Sequence, residues 1–85
     1  MTERGDVDEV LVALADPTRR QLVDLLGESG EASATVLAAA LPVSRQAVVK
    51  HLAVLENAGL VTAQRVGREV RFAIRSQPLE AAARW

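Results

Sequence analysis

Apolar positions fall at helical spacing over the first two-thirds of this chain and switch to alternation near residue 61. Val7, Val10, Leu11 and Leu14 make a first stripe, which predicts a helix over 7–14. Asp16-Pro17 ends it and begins the next, with Asp16 as N-cap and Pro17 at the first helical position, where a missing N–H costs nothing. That second helix is expected to reach about Leu26 and to bury Leu22, Val23, Leu25 and Leu26, with Gly27 and Gly30 punctuating its end. Ala32 marks a strand of one or two residues, and Ser33 caps a short third helix over 34–41. Pro42 cannot continue that helix, so Pro42-Val43-Ser44 reads as a tight turn. Ser44 caps a fourth helix from Arg45 to about Ala58, and Gly59 stops it. Val48, Leu52 and Leu55 form its inward stripe, leaving Arg45, Gln46, Val49, Lys50 and Ala53 on other faces.

Residues 61–66 and 69–74 alternate and are β-branched, which predicts two strands, with Val70, Phe72 and Ile74 as the buried face and Gly67-Arg68 as the hairpin turn. Pro78 closes this region, and Leu79 to Trp85 begins another amphipathic helix. Two helices joined by a short turn and followed by a hairpin make a winged helix-turn-helix. The expected class is therefore mainly α with a small β-hairpin (α+β). A single domain over 1–85 is expected, with a wing at about 61–75 and a terminal helix from about 79.

Composition adds limits. Phe72 and Trp85 are the only aromatics among 85 residues of which 49% are hydrophobic, so the core must be built from Leu, Val, Ile and Ala. A small domain with so little aromatic bulk gains from burying surface in a partner, and a second copy is the simplest one. There is no cysteine, which excludes disulfides, thiolate metal ligation and Cys nucleophiles. No apolar run approaches the ~18–20 residues that cross a bilayer. The N-terminus, MTERGDVDEV, lacks the basic-then-apolar order of a signal peptide, so a cytoplasmic location is expected. The net charge of −1 hides an asymmetry: residues 1–43 carry −5 and residues 44–75 carry +4. Such a distribution points one end of the molecule at a polyanion.

Three segments, ALADPTRRQLVDLL (13–26), LPVSRQAVVKHLAVLENAGLV (41–61) and QRVGREVRFAI (64–74), resemble the ArsR family of winged-helix transcriptional repressors in order and spacing. The resemblance implies a homodimer on an inverted-repeat operator that overlaps a promoter, released by an effector. Many relatives sense metals through cysteines near the recognition helix, or through acid and His ligands on the last helix. This chain departs on both counts, with no Cys and only Glu80 as a ligand on the terminal segment, so neither metal nor cofactor is expected and the effector is left open. Family members continue well beyond the position of Trp85. Either this chain is a short variant or its terminal dimerisation helix is incomplete.

The candidate DNA-binding residues are Ser44, Arg45, Gln46, Val49, Lys50, Arg65, Arg68 and Arg71. Arg45 and Gln46 lie in the first turn of the fourth helix, the end that enters a major groove in helix-turn-helix docking. Arg suits guanine O6 and N7, and Gln suits adenine N6 and N7. Val49 fits either a thymine methyl or a partly buried surface position, Lys50 fits a phosphate, and Ser44 adds a cap and a phosphate contact. Arg65, Arg68 and Arg71 surround the hairpin tip, where wing contacts to phosphate or minor groove are made. Arg68 is best placed, and Arg71 and Arg75 less so. The alternative for these arginines is a charged hairpin that protects a sheet edge from aggregation. Arg19 and Arg20 are assigned a local structural role. His51, the only histidine, is expected to make a surface or interface hydrogen bond, because one His alone is not a metal site. No phosphate loop, catalytic Ser motif or paired carboxylates appear, so no enzymatic activity is expected. The competing reading is a winged-helix protein-interaction module without DNA binding, supported by the acidic N-terminal half. A metal-responsive repressor is a third.

Overall fold

The computed structural model describes residues 3–75, so the expected terminal helix, with Leu79 and Trp85, lies outside the described residues. The order is α1 (Glu3–Ala13), α2 (Pro17–Ser29), β1 (Glu31–Ser33), α3 (Ala34–Ala39), α4 (Arg45–Asn57), β2 (Val61–Val66) and β3 (Glu69–Ile74). The strands form one antiparallel sheet in the order β1-β3-β2. The central strand β3 is thus held on both sides, with Phe72 opposite Ala32 of β1 and Ala63 of β2.

Short polar caps set the helix boundaries. The Asp16 carboxylate accepts from the Arg19 N–H at 3.1 Å, and Pro17 follows as the first residue of α2. Ser33 and Ser44 do the same for α3 and α4, accepting from the backbone N–H of Val36 at 3.2 Å and of Ala47 at 3.1 Å. α4 ends in a Schellman motif: Gly59 at φ +78° donates to the Glu56 carbonyl, and Leu60 donates to that of Leu55. Leu55 and Leu60 are both fully buried, which seals this end with an apolar contact.

The core is a cluster of aliphatic side chains drawn from every helix and from the base of the sheet. Leu22 and Leu26 of α2, Val48, Leu52 and Leu55 of α4, and Leu60 and Val61 form its centre. Val10 and Ala13 close it from α1, and Ala34 and Leu37 from α3. Phe72 and Ile74 pack against it only partly.

Several expectations need correction. In α1 the buried residues are Val7, Val10 and Ala13, whereas Leu11 is exposed and Leu14, just past the end of the helix, is half-buried. One helix face one residue wide satisfies the core here, so the broader stripe in the sequence is not all inward. In α2 the helix continues through Gly27 to Ser29, and Val23 and Leu25 are half-buried. Packing overrides the poor helix propensity of glycine at this point: the face of Gly27 lies against Ile74, whose Cδ1 sits 3.7 Å from where a Cβ would be. α3 stops at Ala39 rather than Leu41: Ala40 is its C-cap, still in the helical region, and Leu41 precedes Pro42, a position at which the helical region is disfavoured. Val70 lies on the Phe72 face of β3 but is 44% exposed. The hairpin outruns the core, so alternation there marks a face without burying it.

Candidate nucleic-acid interface

The interface begins with how α4 is held. Val48, Leu52 and Leu55 have no exposed surface, so the helix is fixed along most of its length by one face. Arg45, Gln46, Val49 and Lys50 recur at i, i+1, i+4 and i+5, and all four are exposed. The five-residue turn from Ala40 to Ser44 separates α3 from α4 and leaves the first turn of α4 projecting. Ser44 is exposed as well, with its hydroxyl committed to the cap.

Arg45 is not left loose. Its Nε donates to Oγ1 of Thr35, in the first turn of α3, at 3.1 Å. Sequence reasoning missed this contact of Thr35: it is ten residues away across the turn, and no periodicity or motif marks it.

The wing supplies the second set. β2 and β3 pair in register from Val61 opposite Ile74 to Val66 opposite Glu69, and Gly67 takes φ +63° in the turn beside Arg68. Every residue from Thr62 to Val70 is exposed, so Arg65 and Arg68 stand at the open end of the hairpin. Arg71 differs. Its Nη1 meets the Glu31 carboxylate at 3.0 Å, and its Nε meets Glu69 at 3.3 Å. The Glu31 hydrogen bond, followed by that from Glu69, strengthens the hold of Arg71 on its proton. Two carboxylates therefore oppose this charge and tie the base of the wing to β1. Arg75 is anchored through its backbone, donating to the Leu60 carbonyl at 2.8 Å.

Behind α4, the arginines at the start of α2 do local work. Arg19 Nε donates to the Ala13 carbonyl at 2.6 Å, and Arg20 Nη1 to that of Leu14 at 3.2 Å. These are carbonyls at the end of α1 that lack helical partners. Arg19 Nη1 also lies 3.3 Å from Nδ1 of His51 on α4. Asp16 completes this junction. The Arg19 backbone hydrogen bond holds its carboxyl below the usual range against some desolvation, with smaller help from the Thr18 backbone and from the charges of His51 and Arg19. His51 is thus a link between α2 and α4. Among the described residues, no three His, Cys, Asp or Glu side chains come together as a metal site would require.

A projecting helix beside a cationic hairpin matches known proteins. The helix-turn-helix domain family matches residues 14–64. The HTH-type transcriptional regulator YuzN of Bacillus subtilis is 39% identical over 82 residues, covering 89% of each chain. An ArsR-like transcriptional regulator from Rhodococcus sp. RHA1 superposes with a TM-score of 0.87 at 42% identity, over 95% of this chain and 76% of that one. The chain belongs to the ArsR family. It is a DNA-binding transcriptional regulator with a winged helix-turn-helix fold. A further ArsR-like structure, a winged helix-turn-helix domain from Mycobacterium bovis described as homodimeric, has a TM-score of 0.82 at 30% identity over 93% of this chain and 73% of that one. In this ArsR-family chain, α3 and α4 form the helix-turn-helix and β2–β3 the wing. No helix among the described residues is long and apolar enough to cross a membrane.

Proposed function

We propose that this ArsR-family protein acts as a dimeric, cytoplasmic repressor on an inverted-repeat operator, with α4 in the major groove and the wing on the flanking backbone. The observation that carries it is the division of α4: one face fully buried, and Arg45, Gln46, Val49 and Lys50 exposed at its N-terminal half. Arg45 and Gln46 read base edges, Val49 meets a thymine methyl, and Ser44 and Lys50 contact phosphate. Arg65 and Arg68 grip the backbone beside the groove. Arg71 makes a weaker contribution, because Glu31 and Glu69 already oppose its charge.

Two copies are needed because one +4 segment is a small electrostatic footprint against a −5 remainder. An apolar patch at the far end of α4 supports pairing. Val12 and Ala13 of α1 meet Val54 and Ala58 there in a shallow groove rimmed by Asp8 and Glu9. Val12 is 68% exposed. The M. bovis neighbour is described as homodimeric, which supports pairing as such. A dimer would set its two α4 helices about 34 Å apart in successive major grooves. Repression then follows when the occupied operator overlaps the polymerase site.

An electrophoretic shift on duplex from upstream of the protein's own gene, repeated over a salt series, tests the reading. Binding that falls steeply with salt is expected, because each phosphate neutralised releases counterions. An absent or salt-insensitive shift would refute DNA binding and favour the protein-interaction module. Sedimentation showing only monomer at high micromolar concentration would refute the dimer.

A further inference from the structure

We propose that Thr35 is a positioning residue for operator recognition, holding the guanidinium of Arg45 so that only its two terminal amino groups face the DNA. This rests on the reading of α4 as the recognition helix.

Arg45 is the first residue of α4, and side chains on a helix lean toward its N-terminus. That lean carries the guanidinium toward α3, where Thr35 meets it through the Nε to Oγ1 hydrogen bond of 3.1 Å. The hydroxyl is itself well placed. Ser33 caps α3, and Ala34 and Leu37, on either side of Thr35, are buried in the core. An exposed arginine is therefore pinned by a residue whose own helix is anchored.

The chemistry of the contact decides what Arg45 can offer. Arginine has five N–H donors, and engaging Nε leaves the four on the terminal nitrogens. The side-on approach, which uses Nε with one terminal nitrogen, is closed. The end-on fork is left, and it matches the O6 and N7 acceptors of guanine. Because the partner is a neutral hydroxyl, the cationic charge is undiminished, in contrast to Arg71 between its two carboxylates. Restraint before binding also lowers the conformational freedom that a long side chain must give up on the DNA.

Selection from a random-sequence duplex pool would supply the operator. Anisotropy titrations on it and on its single-base variants then compare wild type, Thr35→Ala, Thr35→Ser and Arg45→Ala. Thr35→Ala should lose about three- to tenfold in discrimination at the base pair that Arg45 reads, the equivalent of one hydrogen bond. Its salt slope and its affinity for unrelated duplex should match wild type, and Thr35→Ser should restore the discrimination. An equal loss on all duplexes would overturn the proposal by making the hydroxyl a backbone contact. Unchanged discrimination in Thr35→Ala, with Arg45→Ala altered, would overturn the proposal alone. Unchanged base preference in Arg45→Ala would overturn the recognition-helix reading and this proposal with it.

Discussion

The recognition helix and the wing each present exposed cations, but they are supported in different ways. α4 is anchored from Val48 to Leu55 by side chains with no exposed surface, and its first residue is tied to α3 through Thr35. The β2–β3 hairpin is anchored at its base by Val61, and nine consecutive residues from Thr62 to Val70 are exposed. A helix held along its length keeps donors at fixed positions, as base edges require. A hairpin held at one end adjusts to a backbone that looks alike at every step. Under the proposed function, this difference in packing becomes a division between reading sequence and gripping phosphate.

The largest expected effect tests the packing itself. Leu52→Ala removes a fully buried side chain from the centre of the core and should cost about 2–5 kcal/mol. That is a large fraction of the whole stability of a small domain, roughly 5–15 kcal/mol. Val70→Ala, on a strand of the wing, should stay within about 0.5 kcal/mol. Urea denaturation of the two variants measures the contrast, and similar losses would show that the wing is as firmly packed as α4.

A smaller effect separates the two kinds of contact. Arg45→Ala should lose about 1–3 kcal/mol of discrimination at one base position. Arg68→Ala should weaken binding to every duplex alike and make the salt slope shallower by about one. Salt-series titrations on matched and single-base-variant duplexes read both. Base-selective loss in Arg68→Ala would erase the division.

Most of this arrangement was legible in the chain. Val48, Leu52 and Leu55 keep helical spacing, Ser44 and Gly59 bracket them, and the exposed residues between them follow by subtraction. Local signals sufficed because the caps and the core face lie within one element. They failed where the deciding contact lies elsewhere. Alternation put Val70 on the correct face of β3, but nothing local states how far the core extends beneath it. The sequence ranks Arg71 below Arg68 as a wing contact, but only strand pairing supplies its partner, Glu31, forty residues away and within 3.0 Å. Thr35 had no signal at all, because its role exists only once the turn folds α3 back toward Arg45.

Acid should weaken the junction that supports α4. Asp16 caps α2, and its carboxyl is held below its ordinary range chiefly by the Arg19 backbone N–H. A group lowered in the folded state stabilises above its unfolded pKa, and that contribution is lost as pH falls through the folded value. Stability should therefore decline below about pH 4, near the reference carboxylate value. Asp16→Asn keeps a capping oxygen that does not titrate, so its urea midpoint should fall less than that of wild type between pH 5 and pH 3. Parallel curves would show that the α2 cap contributes nothing to acid sensitivity.

The smallest effect concerns Arg71, the one wing arginine that resembles neither set. Glu31 and Glu69 hold it at the surface, where exposed ion pairs add little to stability. Their consequence should appear in DNA binding, since a guanidinium between two carboxylates has two nearby charges competing with phosphate. The double variant Glu31→Gln, Glu69→Gln removes that competition while keeping hydrogen-bonding amides of similar size. Its melting temperature should barely move. Its affinity for all duplexes should rise, and its salt slope should steepen by about one if Arg71 joins the phosphate contacts. A rise confined to one operator sequence would instead place Arg71 with Arg45 as a reader of bases. In that case a hairpin anchored only at its base would be reading sequence, against the division drawn from packing.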